Sequence, residues 1–233
     1  FYRYPRVDYK MLNKYSEGIV AASACLGGPY AGNYWANREE GPEAVREAMR
    51  ETTRRFVEIF GDRWHGELQW NNIPEQHELN QYIIEMSKEF GIPLISTADS
   101  HYPNPDAWRD RELYKRLGWL GKGAPAWAED NTELPPGVEE IGYELYPKNG
   151  NQMWDSYKYY SKSCGVEYDD QLVMDSITRT HDIAFSMIED FTPDTTVKLP
   201  NFVVPAGFTA DQALVNYSLE GLRNLGFHDN KEY

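Results

Sequence analysis

The stretch Gly-Ile-Pro-Leu-Ile-Ser-Thr-Ala-Asp-Ser-His, at residues 91–101, decides the fold. Its first eight residues are mostly apolar and partly β-branched, which predicts a short buried strand. Residues two apart on a strand point to the same face, so we expect Asp99 and His101 to project together. A carboxylate and an imidazole can share a zinc or manganese ion. In the alternative interpretation Asp99 caps a loop that His101 begins, because most Asp-x-His triplets bind no metal.

The segments before this stretch alternate between predicted strands and predicted helices. They are, in order, a strand over residues 18–23, a helix over 43–60, a strand over 64–70, a helix over 74–90 and the strand before Asp99. This alternation is typical of parallel strand–helix–strand units, whose ligand sites gather at the carboxyl ends of the strands. Cys25 and Asp99 both follow such ends. The pattern therefore predicts one shared site.

The rest of the chain is predicted to be mainly helical. Helices are expected over residues 106–120, from about 149 through Tyr157, over 169–188 and after Thr209. Residues 121–142 are rich in glycine, proline and acids, which indicates an irregular connection. Residues 198–207 form an extended apolar segment flanked by prolines, which is typical of a linker between domains.

Composition narrows the classes of protein to which the chain can belong. Its formal net charge of −14 repels nucleic-acid phosphates, so we do not expect this segment to bind DNA over a broad surface by itself. The two cysteines imply no disulfide framework, which suits a reducing cytosol. The sequence has no secretory signal peptide and no apolar run that could span a membrane. We therefore expect a cytoplasmic protein without a membrane partner.

Several short motifs follow one another along the chain in an order that resembles a known family. They are Tyr-Pro-Arg-Val-Asp at residues 4–8, Ser-Glu-Gly at 16–18, Cys-Leu-Gly-Gly at 25–28, Gly-Glu-Leu-Gln at 66–69, Gly-Ile-Pro-Leu through Asp-Ser-His-Tyr at 91–102, Glu-Leu-Tyr at 144–146, Leu-Pro-Asn-Phe at 199–202 and Glu-Gly-Leu at 220–222. Their order and spacing resemble the PHP (polymerase and histidinol phosphatase) domain of bacterial or phage DNA polymerase III alpha subunits. The resemblance covers nearly the whole chain.

The resemblance implies a fold and a function. The fold class is α/β, a partial PHP-type (βα) barrel followed by a mainly helical segment that leads into a polymerase core. Residues 1–125 would be the C-terminal part of the PHP domain, 126–198 a helical connection, and 199–233 a linker with the first helix of the core. The function would be that of part of a DNA-directed DNA polymerase, a nucleotidyltransferase of DNA replication. The PHP part would serve as scaffold or as metal-dependent 3′–5′ exonuclease.

The resemblance also implies a metal site and its partners. Cys25, Asp99 and His101 match family ligands for zinc or manganese, and none of the three is assigned a catalytic role. Magnesium would belong to the polymerase site of the parent protein, which also binds DNA, dNTPs and other replisome subunits. The family's His-x-His motif is expected before Phe1 and its Asp-x-Asp carboxylates beyond Tyr233. The chain, which does not begin with Met, is therefore expected to be an interior slice that is inactive alone and pairs with complementary fragments.

Other interpretations stay open at this stage. Cys25 could be a small buried core residue, and Glu67 could either orient a metal ligand or face outward. Cys164 is predicted to be an isolated thiol beside a glycine turn. Surface or helix-face positions are predicted for His65, His77, His181 and His228. The alternative functions are a standalone PHP-type metallophosphoesterase and a noncatalytic replisome interaction module.

Overall fold

The computed structural model describes residues 6–120, 144–188, 192, 194–197 and 202–230. The chain divides into two compact units, residues 1–189 and residues 190–233. The predicted irregular connection over 121–142, the start of the linker at 198–201 and the motif residues 4–5 lie outside the described residues. Within the described ranges, no helix combines the length and apolar character that crossing a lipid bilayer requires.

Three parallel strands form the sheet of the first unit. They are β1 (Ala21–Ala22), β2 (Trp64–Gln69) and β3 (Leu94–Thr97), in the order β1-β2-β3, with Ala21 opposite Trp64 and Gly66 opposite Leu94. The predicted mixture of helices and parallel strands is confirmed. β1 is shorter than the predicted strand over 18–23, and Gly18, the first residue of that range, adopts a φ of +71°, which strands do not use. The described residues show this sheet, and the barrel stays a prediction.

Helices connect and flank the strands. In the first unit they are α1 (Tyr9–Lys14), α2 (Pro29–Asn37), α3 (Pro42–Phe60), α4 (Pro74–Phe90), α5 (Trp108–Leu120), α6 (Gly150–Ser163) and α7 (Asp170–Asp182). The prolines that begin α3 and α4 suit the first helical turn, and Gly91 ends α4 in the left-handed conformation. α7 ends at Asp182 and passes into a π-helical turn, Ile183–Met187, inside the longer helix predicted over 169–188.

The second unit contains α8 (Ala210–Asn224). Thr209 caps it as predicted, in a capping box in which the Thr209 hydroxyl accepts from the backbone of Gln212 and the Gln212 side chain accepts from the backbone of Thr209. Of its apolar side chains, Ala213 is buried, whereas Leu214 and Tyr217 are exposed.

Helices α2, α3 and α4 bury one face of the sheet. Their side chains form an apolar core with Trp64 and Leu68 of β2. A Cβ atom on Gly66 would lie 2.8 Å from both Ile83 Cγ2 and Leu94 Cδ2. Glycine at this position therefore lets α4 approach the sheet closely.

Helices α6 and α7 pack beside the end of β3. The Trp70 indole N–H donates to Ser96 Oγ at 3.1 Å, and that hydroxyl is 2.7 Å from Ser176 Oγ on α7. Trp70 also packs on Tyr157 of α6, with ring centroids 4.9 Å apart. These contacts join α6 and α7 to the sheet in one compact unit. The domain bounds suggested by the resemblance, at residues 125 and 198, remain predictions.

Two of the histidines that were predicted at surface or helix-face positions are buried, although His77 does lie on helix α4. His77 and His65 are 0% and 2% exposed, so the predicted surface position is wrong for both. The Nε2–H of His77 donates to the Asn71 carbonyl at 2.9 Å, and its Nδ1 accepts from the Tyr168 hydroxyl at 2.9 Å. Gln76 and Asn80 on the same helix are also buried, and Gln76 Nε2 donates to Asn80 Oδ1 at 3.0 Å, so this polar face of α4 is not a solvated one. His181 and His228 are exposed as predicted.

Lowering the pH from about 7.5 to about 5 is expected to lower the free energy of unfolding. Burial lowers the pKa of His65 and of His77, so the unfolded chain, with imidazole pKa values near 6.5, binds protons that the folded chain does not. The contribution of the two neutral imidazoles to stability is complete above the pKa of the unfolded chain and declines as the pH falls through that value. Urea denaturation across this range measures the slope.

A His77→Gln variant is expected to flatten that slope, because one of the two buried imidazoles no longer titrates. The exposed His181→Gln is the matched control and should leave the slope unchanged. Equal slopes for His77→Gln and the unsubstituted chain would contradict the assignment.

Candidate functional site

Two sharp turns stand at the carboxyl ends of β1 and β3. Ala24, with a φ of +60°, and Asp99, with a φ of +47°, are the non-glycine residues of positive φ in the described chain. Such conformations are uncommon for residues with a Cβ atom and cluster at functional sites. The two turns carry the predicted residues Cys25, Asp99 and His101.

The structure places Asp99 and His101 in a loop and not on a strand. β3 ends at Thr97, so strand alternation does not set the directions of the two side chains. Instead, His101 Nδ1 lies 2.6 Å from the backbone carbonyl of Asp99 and 4.0 Å from Asp99 Oδ1. The expectation that both residues project from a strand is therefore wrong in its geometry, although the two residues remain close together.

The turn after β1 requires glycine at one position. Gly28 N donates to the Cys25 carbonyl at 2.8 Å, and a Cβ atom on Gly28 would lie 2.1 Å from the Ser23 carbonyl oxygen. No side chain fits in that space. Gly28 thus closes the turn that presents the Cys25 thiol, and α2 begins at the next residue.

The structure brings Cys25 and Asp99 together. Burial raises the pKa of the Cys25 thiol, and the nearby negative charge of Asp99 raises it further. The thiol and the carboxylate come from residues 74 positions apart, so the contact follows from the parallel alignment of the strand ends. The two residues thus lie at the same edge of the sheet, and their membership of one shared site stays a prediction.

A thiol, a carboxylate and an imidazole form a donor set that suits zinc. Across the residues that the structure describes, however, no three histidine, cysteine, aspartate or glutamate side chains are arranged to hold a metal ion. His101 is also 41% exposed in its side chain. The described residues therefore do not form a complete metal centre, and the assignment of the three residues as ligands stays a prediction.

Glu67 of β2 lies between the two turns. Its carboxylate accepts hydrogen bonds from Ala24 N at 3.1 Å, Thr97 Oγ1 at 2.5 Å and Gln69 Nε2 at 3.2 Å. From sequence alone the outward-facing alternative remained open for this residue. The alternation of β2 puts Glu67 and Gln69 on one face of the sheet. This alternation is the signal in the sequence that the two side chains lie together. Its partners on β1 and β3 could not be identified from the sequence.

The segment over residues 144–148 supports the loop after β3 from the side. His101 N donates to the Leu145 carbonyl at 2.8 Å, and Leu145 N donates to the Tyr102 hydroxyl at 3.0 Å. Lys148 Nζ pairs with Glu144 Oε2 at 2.9 Å, and burial lowers the pKa of Lys148. A cavity of about 260 Å³ lies between this segment, the end of β3 and the start of α6.

The chain was also compared with known proteins. No family model matches it. It is 34% identical over 238 aligned residues, 100% of the chain, to the DNA polymerase III subunit alpha of Aquifex aeolicus, of which it spans 19%. It is 32% identical to the subunit of the same name from Borreliella burgdorferi, over 67% of the chain and 12% of that protein. With the protein of that name from Campylobacter jejuni it shares 34% identity, over 65% of the chain and 12% of that protein.

The chain therefore spans about a fifth or less of the length of these relatives. The similarity nevertheless includes every part of the chain in the Aquifex alignment. The resemblance to DNA polymerase III alpha subunits is confirmed, whereas the PHP assignment remains a prediction. Over its whole length, the chain is related to the alpha subunits of bacterial DNA polymerase III.

Proposed function

We propose that the chain is part of a DNA polymerase III alpha subunit and acts in DNA replication. The observation that carries this proposal is the alignment of the whole chain with the Aquifex aeolicus subunit at 34% identity. The parent protein would be a cytoplasmic nucleotidyltransferase that works on DNA and dNTPs with magnesium at a polymerase site outside this chain. Other replisome subunits would be its partners.

Within that protein, the first unit would be the C-terminal part of a PHP-type barrel. Support comes from its parallel sheet and from the polar side chains at the carboxyl ends of the strands, where α/β folds place their sites. Cys25, Asp99 and His101 would contribute to holding zinc or manganese, with the remaining ligands from other parts of the parent protein. Such a metal, when bound, supplies Lewis acidity for phosphodiester hydrolysis.

This chain's own residues have a narrower role. The carboxylate of Asp99 lies close enough to the Cys25 thiol to raise its pKa, and the backbone bonds to Leu145 fix the loop that carries His101. Because these residues form only part of a metal centre, we assign no catalytic step to them. Their proposed role in the isolated chain is to provide one side of a site.

The purified chain of 233 residues is expected to bind zinc or manganese weakly and to release no nucleotide from DNA 3′ ends. Three donors, one of them exposed, leave the ion with too few protein ligands for a closed site. Metal analysis after equilibrium dialysis measures binding, and a 3′-labelled primer measures hydrolysis. Asp99→Ala should remove the residual binding, whereas Asp110→Ala, an exposed position on α5, should not.

Exonuclease activity that is present in the purified chain and lost in Asp99→Ala would contradict the incomplete site. It would indicate that this chain alone holds enough ligands for metal-dependent hydrolysis of DNA.

The genomic sequence around the coding region tests the polymerase assignment independently. We expect it to encode a His-x-His segment upstream and an Asp-x-Asp segment downstream, in the same or in neighbouring reading frames. Flanking genes without either motif would contradict the assignment.

A further inference from the structure

We propose that Glu67 is a positioning residue that holds the Cys25 turn and the Asp99 turn against each other. The inference rests on three hydrogen bonds to one carboxylate, whose donors belong to the end of β1, to β2 itself and to the end of β3. These donors are Ala24 N, Gln69 Nε2 and Thr97 Oγ1. An ionised carboxylate only accepts hydrogen bonds, so it suits a place where donors converge.

The bonds fall beside the two strained positions. Ala24 N belongs to the residue with a φ of +60°, immediately before Cys25, and Thr97 is two residues before Asp99, which has a φ of +47°. Strained backbone of this kind persists only where the surrounding structure enforces it. The backbone of Glu67 contributes as well, because Glu67 N donates to Ser23 Oγ at 2.8 Å. Glu67 is thus held to both turns.

The consequence is the approach of the thiol to Asp99. Without the carboxylate, the Ala24 amide and the Thr97 hydroxyl both lose their acceptor, so the two turns can relax independently. The Cys25 thiol then moves away from Asp99 and becomes more accessible. What the thiol–carboxylate pair is used for rests on the proposed metal site, but the pair itself can be measured without any metal.

Alkylation of Cys25 by iodoacetamide at a fixed pH tests the proposal. All variants carry Cys164→Ser, so that Cys25 is the thiol that reacts. Glu67→Ala is expected to accelerate alkylation at least about fivefold, the factor that corresponds to one hydrogen bond of ordinary strength. Glu67→Gln, which keeps one acceptor but adds a donor, should give an intermediate rate. Glu58→Ala, at an exposed position of α3, is the matched control and should leave the rate unchanged.

A second control separates positioning from a general loss of stability. Val173 on α7 is 0% exposed, so Val173→Ala destabilises the fold without removing a bond to either turn. It is expected to leave the alkylation rate unchanged under native conditions. An unchanged rate in Glu67→Ala, or equal acceleration by Val173→Ala, would overturn the proposal.

Cobalt(II) distinguishes failure of this inference from failure of the proposed metal site. A thiolate-to-cobalt absorption band in the unsubstituted chain, weakened in Glu67→Ala, would support both. If the unsubstituted chain gives no band, the expected weak metal binding by this chain fails, and the alkylation rates alone decide on the positioning role of Glu67. A full-strength band in Glu67→Ala would count against that role.

Discussion

Replacing Trp64 with alanine is expected to lower the free energy of unfolding by about 3–5 kcal/mol, the usual cost of removing a large buried aromatic side chain. Trp64 begins β2 and is 1% exposed. Its ring stacks on Phe56 of α3 with centroids 4.2 Å apart, and it meets the edge of Tyr30 of α2 at 5.9 Å. Alanine would leave a cavity where the sheet, α2 and α3 meet.

The polar contacts of Trp64 add to this loss. The indole N–H donates to the Tyr30 hydroxyl at 3.1 Å, and that hydroxyl is also 2.8 Å from Thr53 Oγ1. Trp64→Phe keeps much of the stacked surface and is expected to cost less than alanine. Denaturation by guanidinium chloride measures both variants by circular dichroism.

Trp35→Ala is the matched control for the loss of a tryptophan. Trp35 is 43% exposed and donates one hydrogen bond, to the Leu26 carbonyl at 3.1 Å, so its loss should cost about 1 kcal/mol. Equal losses of free energy of unfolding at Trp64 and Trp35 would show that the packing of Trp64 between the sheet, α2 and α3 does not dominate the stability of this unit.

The helices that the sequence predicts best are those whose patterns are strong by themselves. α3 and α4 combine apolar helical spacing with an initial proline and a final glycine, and both were predicted nearly to the residue. α2 was missed because its glycine and asparagine residues disfavour a helix. Tertiary packing overrides this preference, since α2 buries Tyr30 and Tyr34 in the core.

In the candidate site, too, one part can be predicted from the sequence and another part cannot. The placement of Cys25 and Asp99 at the same edge of the sheet follows from the parallel alternation, and the charge of Asp99 raises the pKa of the Cys25 thiol. The hydrogen bonds of Glu67 to residues 43 and 30 positions away depend on the register of all three strands, which no local pattern encodes. The burial of His77 likewise depends on Tyr168, which lies 91 positions away.

Glu144→Ala is expected to lower the free energy of unfolding by about 3 kcal/mol at neutral pH, because it leaves the ammonium group of Lys148 buried without its carboxylate. The side chain of Lys148 is 1% exposed and that of Glu144 is 15% exposed, with 2.9 Å between Nζ and Oε2. In the variant, the ammonium group still contacts the backbone carbonyl of residue 144 and the Tyr146 ring, whose centroid is 4.1 Å away. The loss of free energy of unfolding is therefore expected at the lower end of the usual range.

The exposed pair Glu51 and Arg55 supplies the control for this variant. Its side chains are 54% and 51% exposed, and Glu51→Ala should cost between about 0 and 1 kcal/mol. A double variant, Glu144→Gln with Lys148→Met, removes both charges and should recover most of the stability that Glu144→Ala loses. Urea denaturation of the single and double variants measures the coupling between the two side chains.

The pH dependence of the free energy of unfolding of Glu144→Ala identifies the buried Lys148 amine as the cause of the lost stability. Burial already lowers the pKa of Lys148, and removal of the carboxylate lowers it further. The folded variant then binds fewer protons than the unfolded chain, so its stability should rise as pH increases toward about 10, where the unfolded lysine also loses its proton. A loss that is the same at all pH values would contradict this cause. Because Leu145 holds the loop of His101, the same variant is also expected to loosen that side of the candidate site.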